Sequence, residues 1–102
     1  MSSTANGAPK HLSRASRAWY RSVLADYELE PHHVKLLLLA AESFDRATEA
    51  REAITKHGAV LADRFGQLRP NPSIAIERDS RIAFARLVRD LQLDDESSPR
   101  GR

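Results

Sequence analysis

The sequence predicts a mainly α fold: two N-terminal helices, the second of them long, then a short β-hairpin, a C-terminal helix, and a disordered tail at each end. Three observations carry this. Apolar residues recur at helical spacing over three stretches. Pro31 and Gly58 bracket the middle stretch as a start and a stop. The segment KHGAVLADRFGQLRPNP, Lys56 to Pro72, then ends a helix, turns a hairpin and opens another helix.

Each element has a local reason. Ser13 to Tyr27 reads as the first helix, because Leu12, Trp19, Val23 and Tyr27 share one face at about 100° per residue. Lys10, Arg14, Arg17 and Arg21 share the opposite face, and Leu24 lies off the main apolar stripe. Glu30 precedes a proline and is pushed away from helical geometry, so Glu28-Leu29-Glu30 is a connection. Pro31 suits the first helical position of a second helix that runs to about His57, roughly 40 Å at 1.5 Å per residue. Its first half, VKLLLLAA, is apolar on nearly every side and calls for more than one neighbour. Its second half carries Glu42/Arg46 and Glu52/Lys56 at i, i+4, a solvated face, beside a narrower stripe of Phe44, Ala47 and Ile54. Val60-Leu61 and Leu68 flank the turn Asp63-Arg64-Phe65-Gly66, which predicts two short strands. Asn71 is placed to cap a third helix from Pro72 to about Leu91, with Ile76, Ala83, Leu87 and Leu91 on its apolar face and Phe84 and Val88 beside them.

With 102 residues and no cysteine, the chain has room for one domain, spanning residues 11–93, and none for disulfides or cysteine-ligated metal. Residues 1–10 and 94–102 read as tails. A core of roughly 80 residues is marginal alone, and self-association often supplements it. No signal peptide is evident, and Leu36 to Ala41 is too short to span a bilayer, so a cytosolic protein is expected.

The net charge is only +2, with an isoelectric point near 9.4, but its distribution is informative. Met1 to Ala25 contains no acidic residue, whereas Asp94-Asp95-Glu96 gather negative charge at the other end. Arginines on one helix face can follow a phosphate backbone, which makes the Lys10/Arg14/Arg17/Arg21 stripe the leading site for DNA contact. The plainer reading of the same cations is a soluble surface. The third helix is a weaker candidate, because Glu77/Arg81 and Arg86/Asp90 can pair locally. Trp19 is expected in the core, with Tyr20 nearer its boundary.

Other chemistry finds little support. His11, His32, His33 and His57 include no HExxH, and adjacent His32 and His33 are expected to point about 100° apart on a helix. There is no Gly-rich phosphate loop, no GxSxG and no cysteine nucleophile, and Asp63 suits a turn for backbone reasons alone. Neither an enzyme nor a metal or cofactor site is expected, and the ELEP connection does not suit a helix-turn-helix pair.

The order of elements resembles the small subunit of phage DNA-packaging terminases, in the compact family with a hairpin before the last helix. The resemblance runs from His11 to Leu93. Its firmest parts are the helix ending Ala50-Arg51 to Gly58, the Asp63-Arg64-Phe65-Gly66 turn, Asn71-Pro72, and Arg86-Leu87-Val88-Arg89-Asp90-Leu91. Family tails often finish with a Gly-Leu-x-Pro-like element before terminal arginines; here Leu93-Asp94-Asp95-Glu96 stands in its place. The resemblance implies a non-catalytic factor that assembles into a ring and engages double-stranded viral DNA. It would hand that DNA to the large subunit with its ATPase and nuclease, in the cytoplasm of a phage-infected or prophage-carrying bacterium. Leu36, Leu37, Leu39 and Ala40 are the expected contacts between subunits of such a ring. A small helical regulator or adaptor working as a dimer is the competing expectation.

Overall fold

The computed structural model describes residues 7–93. In chain order the elements are α1 (Arg14–Asp26), α2 (Pro31–His57), β1 (Val60–Ala62), β2 (Leu68–Pro70) and α3 (Ser73–Leu91). This is the mainly α architecture that the sequence predicts. The expectations for residues 1–6 and 94–102 lie outside the described residues. Residues 7–10 are described and are tied to the fold: Ala8 packs against the core and the Pro9 carbonyl accepts from the Leu12 N–H.

The molecule is elongated, 59 × 29 × 19 Å, because α2 sets its length and α3 packs back along it. A compact core sits at one end, where Leu12, Tyr20 and Val23 meet Leu37 and Ala41 of α2 and Leu91 of α3. Ala40, Ala47 and Ala50 are buried further along α2. With no atom beyond Cβ, these positions let a neighbouring helix approach closely.

Two helix faces differ from the periodicity reading. In α1 the buried positions are Ser16, Tyr20 and Val23, while Trp19 and Tyr27 are only half-buried. The cause is polar: Ser16 is drawn inward by a hydrogen bond to Asp45, which rolls the helix toward Tyr20. In α3, Ile76 is 43% exposed, whereas Glu77 and Ser80 are buried. Glu77 accepts a bidentate pair from Arg51 of α2, at 2.9 Å for both Nε and Nη2, and a further bond from Arg81 Nε at 3.2 Å. A carboxylate so fully paired can occupy an interhelical position that periodicity alone assigns to an aliphatic side chain. Of the other i, i+4 pairs expected, Glu42 bonds instead to His11, and neither Glu52/Lys56 nor Arg86/Asp90 forms an ion pair among the described residues.

The hairpin is antiparallel, with Val60 opposite Pro70 and Ala62 opposite Leu68. Its turn is built on Asp63, whose Oδ1 accepts from the N–H groups of Phe65 and Gln67 and whose carbonyl accepts from Gly66. Gly66 at φ 81° and Gly58 at φ 89° occupy the left-handed half of the map that favours glycine. Asn71 is the junction. Its Oδ1 accepts from the Ser73 N–H at 2.9 Å, as a helix cap does, while its Nδ2 donates to the Gly58 carbonyl at 2.9 Å. One side chain thus closes the neck of the hairpin and opens α3. Replacing Asn71 by Ala leaves a buried carbonyl and a helix-terminal N–H without these bonds. A loss of about 1–3 kcal/mol in denaturant unfolding is expected.

Candidate nucleic-acid interface

The face of α1 that points away from α2 is set by what holds the opposite face down. Ser13 caps the helix, its Oγ accepting from the Ser16 N–H at 3.1 Å. The same Ser13 donates its N–H and its Oγ–H to Asp45 of α2, at 2.7 and 2.6 Å, and Ser16 Oγ donates to Asp45 at 2.7 Å. His11 Nε2 lies 2.6 Å from Glu42 Oε2, one turn earlier on α2. Four contacts from two adjacent turns of α2 therefore clamp the start of α1.

Asp45 also supplies what the first turn of α1 lacks, since that turn contains no acidic residue. A carboxylate near a helix N-terminus is favoured by the exposed N–H groups there. Burial pushes the Asp45 carboxyl upward, but hydrogen bonds from Ser13 and Ser16 and the neighbouring His11 outweigh it, leaving the pKa below the ordinary 3.8.

With that face fixed, Arg14, Arg17 and Arg21 fall within a sector of about 60° on the outer side of α1, spread over about 10 Å of axis. Arg14 and Arg21 are exposed and Arg17 is half-buried. Arg17 Nη1 donates to the Lys10 carbonyl at 3.3 Å, drawing the preceding turn, and exposed Lys10 with it, against the stripe. None of these four cations forms an ion pair among the described residues. Arg14 stands in the first turn and no basic residue stands in the last, the reverse of what the helix dipole favours. Their placement is therefore not explained by helix stability. Toward α2 the stripe is bordered by Glu42, Asp45 and Glu49, so an anion is steered along the outer side of α1.

The other sequence-predicted sites fare differently. Leu37 and Ala40 have no exposed surface: they are spent inside the protomer and cannot meet a neighbour without unpacking it. Leu36 is half-buried and Leu39 is 50% exposed, leaving Leu39 as the one fully exposed residue of that set. The rings of His32 and His33 do not point apart; they lie 4.1 Å between centroids. No group of three or more His, Asp or Glu side chains among the described residues is placed to hold a metal ion, and no described helix is long and apolar enough to cross a membrane. An aromatic row escaped the periodicity reading: Trp19, Phe84 and Phe44 are each 5.5 Å from the next, and join α1, α3 and α2. Comparison with protein-family models, curated proteins and solved structures returns no match.

Because the folded-state pKa of Asp45 lies below that of the unfolded chain, its ionised form stabilises the fold above pH 3.8, and that contribution disappears as pH falls through the lower folded value. Asp45→Asn should therefore melt earlier than wild type near neutral pH, with the gap narrowing in acid. Thermal melts across a pH series would show this.

Proposed function

We propose that this chain is the small subunit of a phage DNA-packaging terminase. In this reading it is an oligomeric, non-catalytic factor that engages double-stranded viral DNA through α1 and presents it to the large ATPase and nuclease subunit. The observation that carries the reading is the outer face of α1, where Lys10, Arg14, Arg17 and Arg21 gather without an acidic partner among the described residues. The element order supports it, being the one that the resemblance to terminase small subunits implies.

The physics of the contact is simple. Along one strand of duplex DNA the phosphates advance about 3.4 Å each, so a stripe about 10 Å long matches roughly three of them. Backbone contacts of this kind position a protein without reading sequence. A single chain holding three phosphates binds weakly and with strong salt dependence, and several chains in one assembly raise the affinity by avidity.

Replacing Arg14, Arg17 and Arg21 together by Gln should weaken duplex DNA binding by at least tenfold at moderate salt. It should also reduce the slope of log affinity against log salt by about 2–3 per chain. Thermal stability should stay close to wild type, since no described ion pair is lost. Unchanged affinity and slope would reject α1 as the DNA face. A dimer with a sharp preference for a palindromic site would favour a transcriptional regulator instead.

A further inference from the structure

The hairpin carries an apolar surface that its own chain leaves open. Directly opposed residues of an antiparallel pair share a face, so Val60, Ala62, Leu68 and Pro70 lie together on one side. All four are exposed, Val60 at 54% and Leu68 at 76%, and Phe65 at the turn is 77% exposed. A two-stranded hairpin is marginal in water without an apolar face to bury. Yet this one is held in shape by the Asp63 bonds and by Arg69 Nε on Asp63 at 3.1 Å. A rigid element presenting Phe and Leu loses little entropy on docking.

A receiving surface lies on the same molecule. Between α2 and α3 runs a groove of about 550 Å³ with Phe44, Ala47 and Phe84 along it and Arg51, Glu52 and Arg81 at the rim. Phe44 is 44% exposed in it. Arg51 and Arg81 are both engaged by Glu77, whereas Glu52 has no ion-pair partner among the described residues. The hairpin supplies the counterpart: Arg64 forms no ion pair among the described residues, and its guanidinium lies 5.1 Å over the Phe65 ring. Each chain thus presents one apolar tip with an uncommitted cation and one apolar groove with an uncommitted anion.

We infer that the hairpin of one chain docks in the α2–α3 groove of a second copy, with Phe65 and Leu68 against Phe44 and Phe84, and Arg64 paired to Glu52. The two surfaces are different, so the contact is head-to-tail, and it repeats until it closes into a ring or continues as a filament. The inference rests on the reading of the chain as self-assembling. It assigns that assembly to residues other than Leu37 and Ala40, which the protomer core consumes.

The test is absolute mass by light scattering behind size exclusion, on the full chain. Four variants accompany wild type: Phe65→Ser with Leu68→Ser, Arg64→Glu, Glu52→Arg, and the last two combined. Wild type should be a discrete higher oligomer. The Ser pair should be monomeric with unchanged helical circular dichroism, since both side chains stand in solvent. Each charge reversal should lower the mass at low salt, and their combination should restore it. A monomeric wild type would overturn the second copy as occupant, leaving the tip and groove to a different protein. Assembly unaffected by the Ser pair, or absence of restoration in the combined variant, would overturn the contact as assigned. DNA binding measured on the same samples separates the two claims. A monomer with salt-dependent DNA binding sinks this contact alone, and an assembly built this way that ignores DNA sinks the packaging reading alone.

Discussion

The carboxylate of Asp45 sets the roll of α1 on α2, and the functional surface depends on that roll. Three donors from Ser13 and Ser16 converge on it, and they do so at the helix end where exposed N–H groups favour a negative charge. A change of one residue in this register would turn α1 by about 100°. Tyr20 would then leave the core, and the arginine stripe would rotate toward the acidic edge of α2. Apolar packing alone gives α1 no such definition, because Trp19, Tyr20, Val23 and Leu24 make its apolar side broad. Directional hydrogen bonds choose one setting among several that hydrophobic burial would accept.

The same division of labour recurs at the other helix pair. Small residues on α2 allow α3 to approach, and Glu77 fixes the register by holding Arg51 across the interface and Arg81 one turn along its own helix. The Glu77 pKa is lowered foremost by its bonds from Arg51, against the opposing effect of burial. The half-exposed Arg51 keeps its aliphatic stem along the groove rim while its guanidinium is spoken for. Specificity in this small fold comes from polar contacts between helices, and its apolar core stays compact at one end.

Much of this was legible in the chain. The turn chemistry of Asp63 to Gly66, the glycine stop at Gly58 and the Asn71 cap are local rules, and the structure obeys them. The helix faces were less legible. Periodicity weighs side chains by hydropathy, so it placed Trp19 and Ile76 inward and overlooked Ser16 and Glu77. Those two are inside because of partners 29 and 26 residues away, Asp45 and Arg51. No window on a single helix contains such information. The Ser13-x-x-Ser16 spacing was a visible capping cue, but its tertiary half appears only once α2 is docked. The arginine stripe was readable because exposure follows from an amphipathic pattern, whereas the aromatic row of Trp19, Phe84 and Phe44 draws one ring from each helix.

Asn71 has a consequence for how this fold can vary. By tying the Gly58 carbonyl to the start of α3 it closes a loop whose two ends are 13 residues apart, and everything beyond that neck faces solvent or lies at the surface. Lengthening a closed loop costs little, about 0.6 kcal/mol for each doubling. The segment between Gly58 and Asn71 is therefore a detachable module. Its length, tip residues and charge can drift among descendants while α2 and α3 keep their register, so what the protein touches through that tip can change without the helices having to evolve in step.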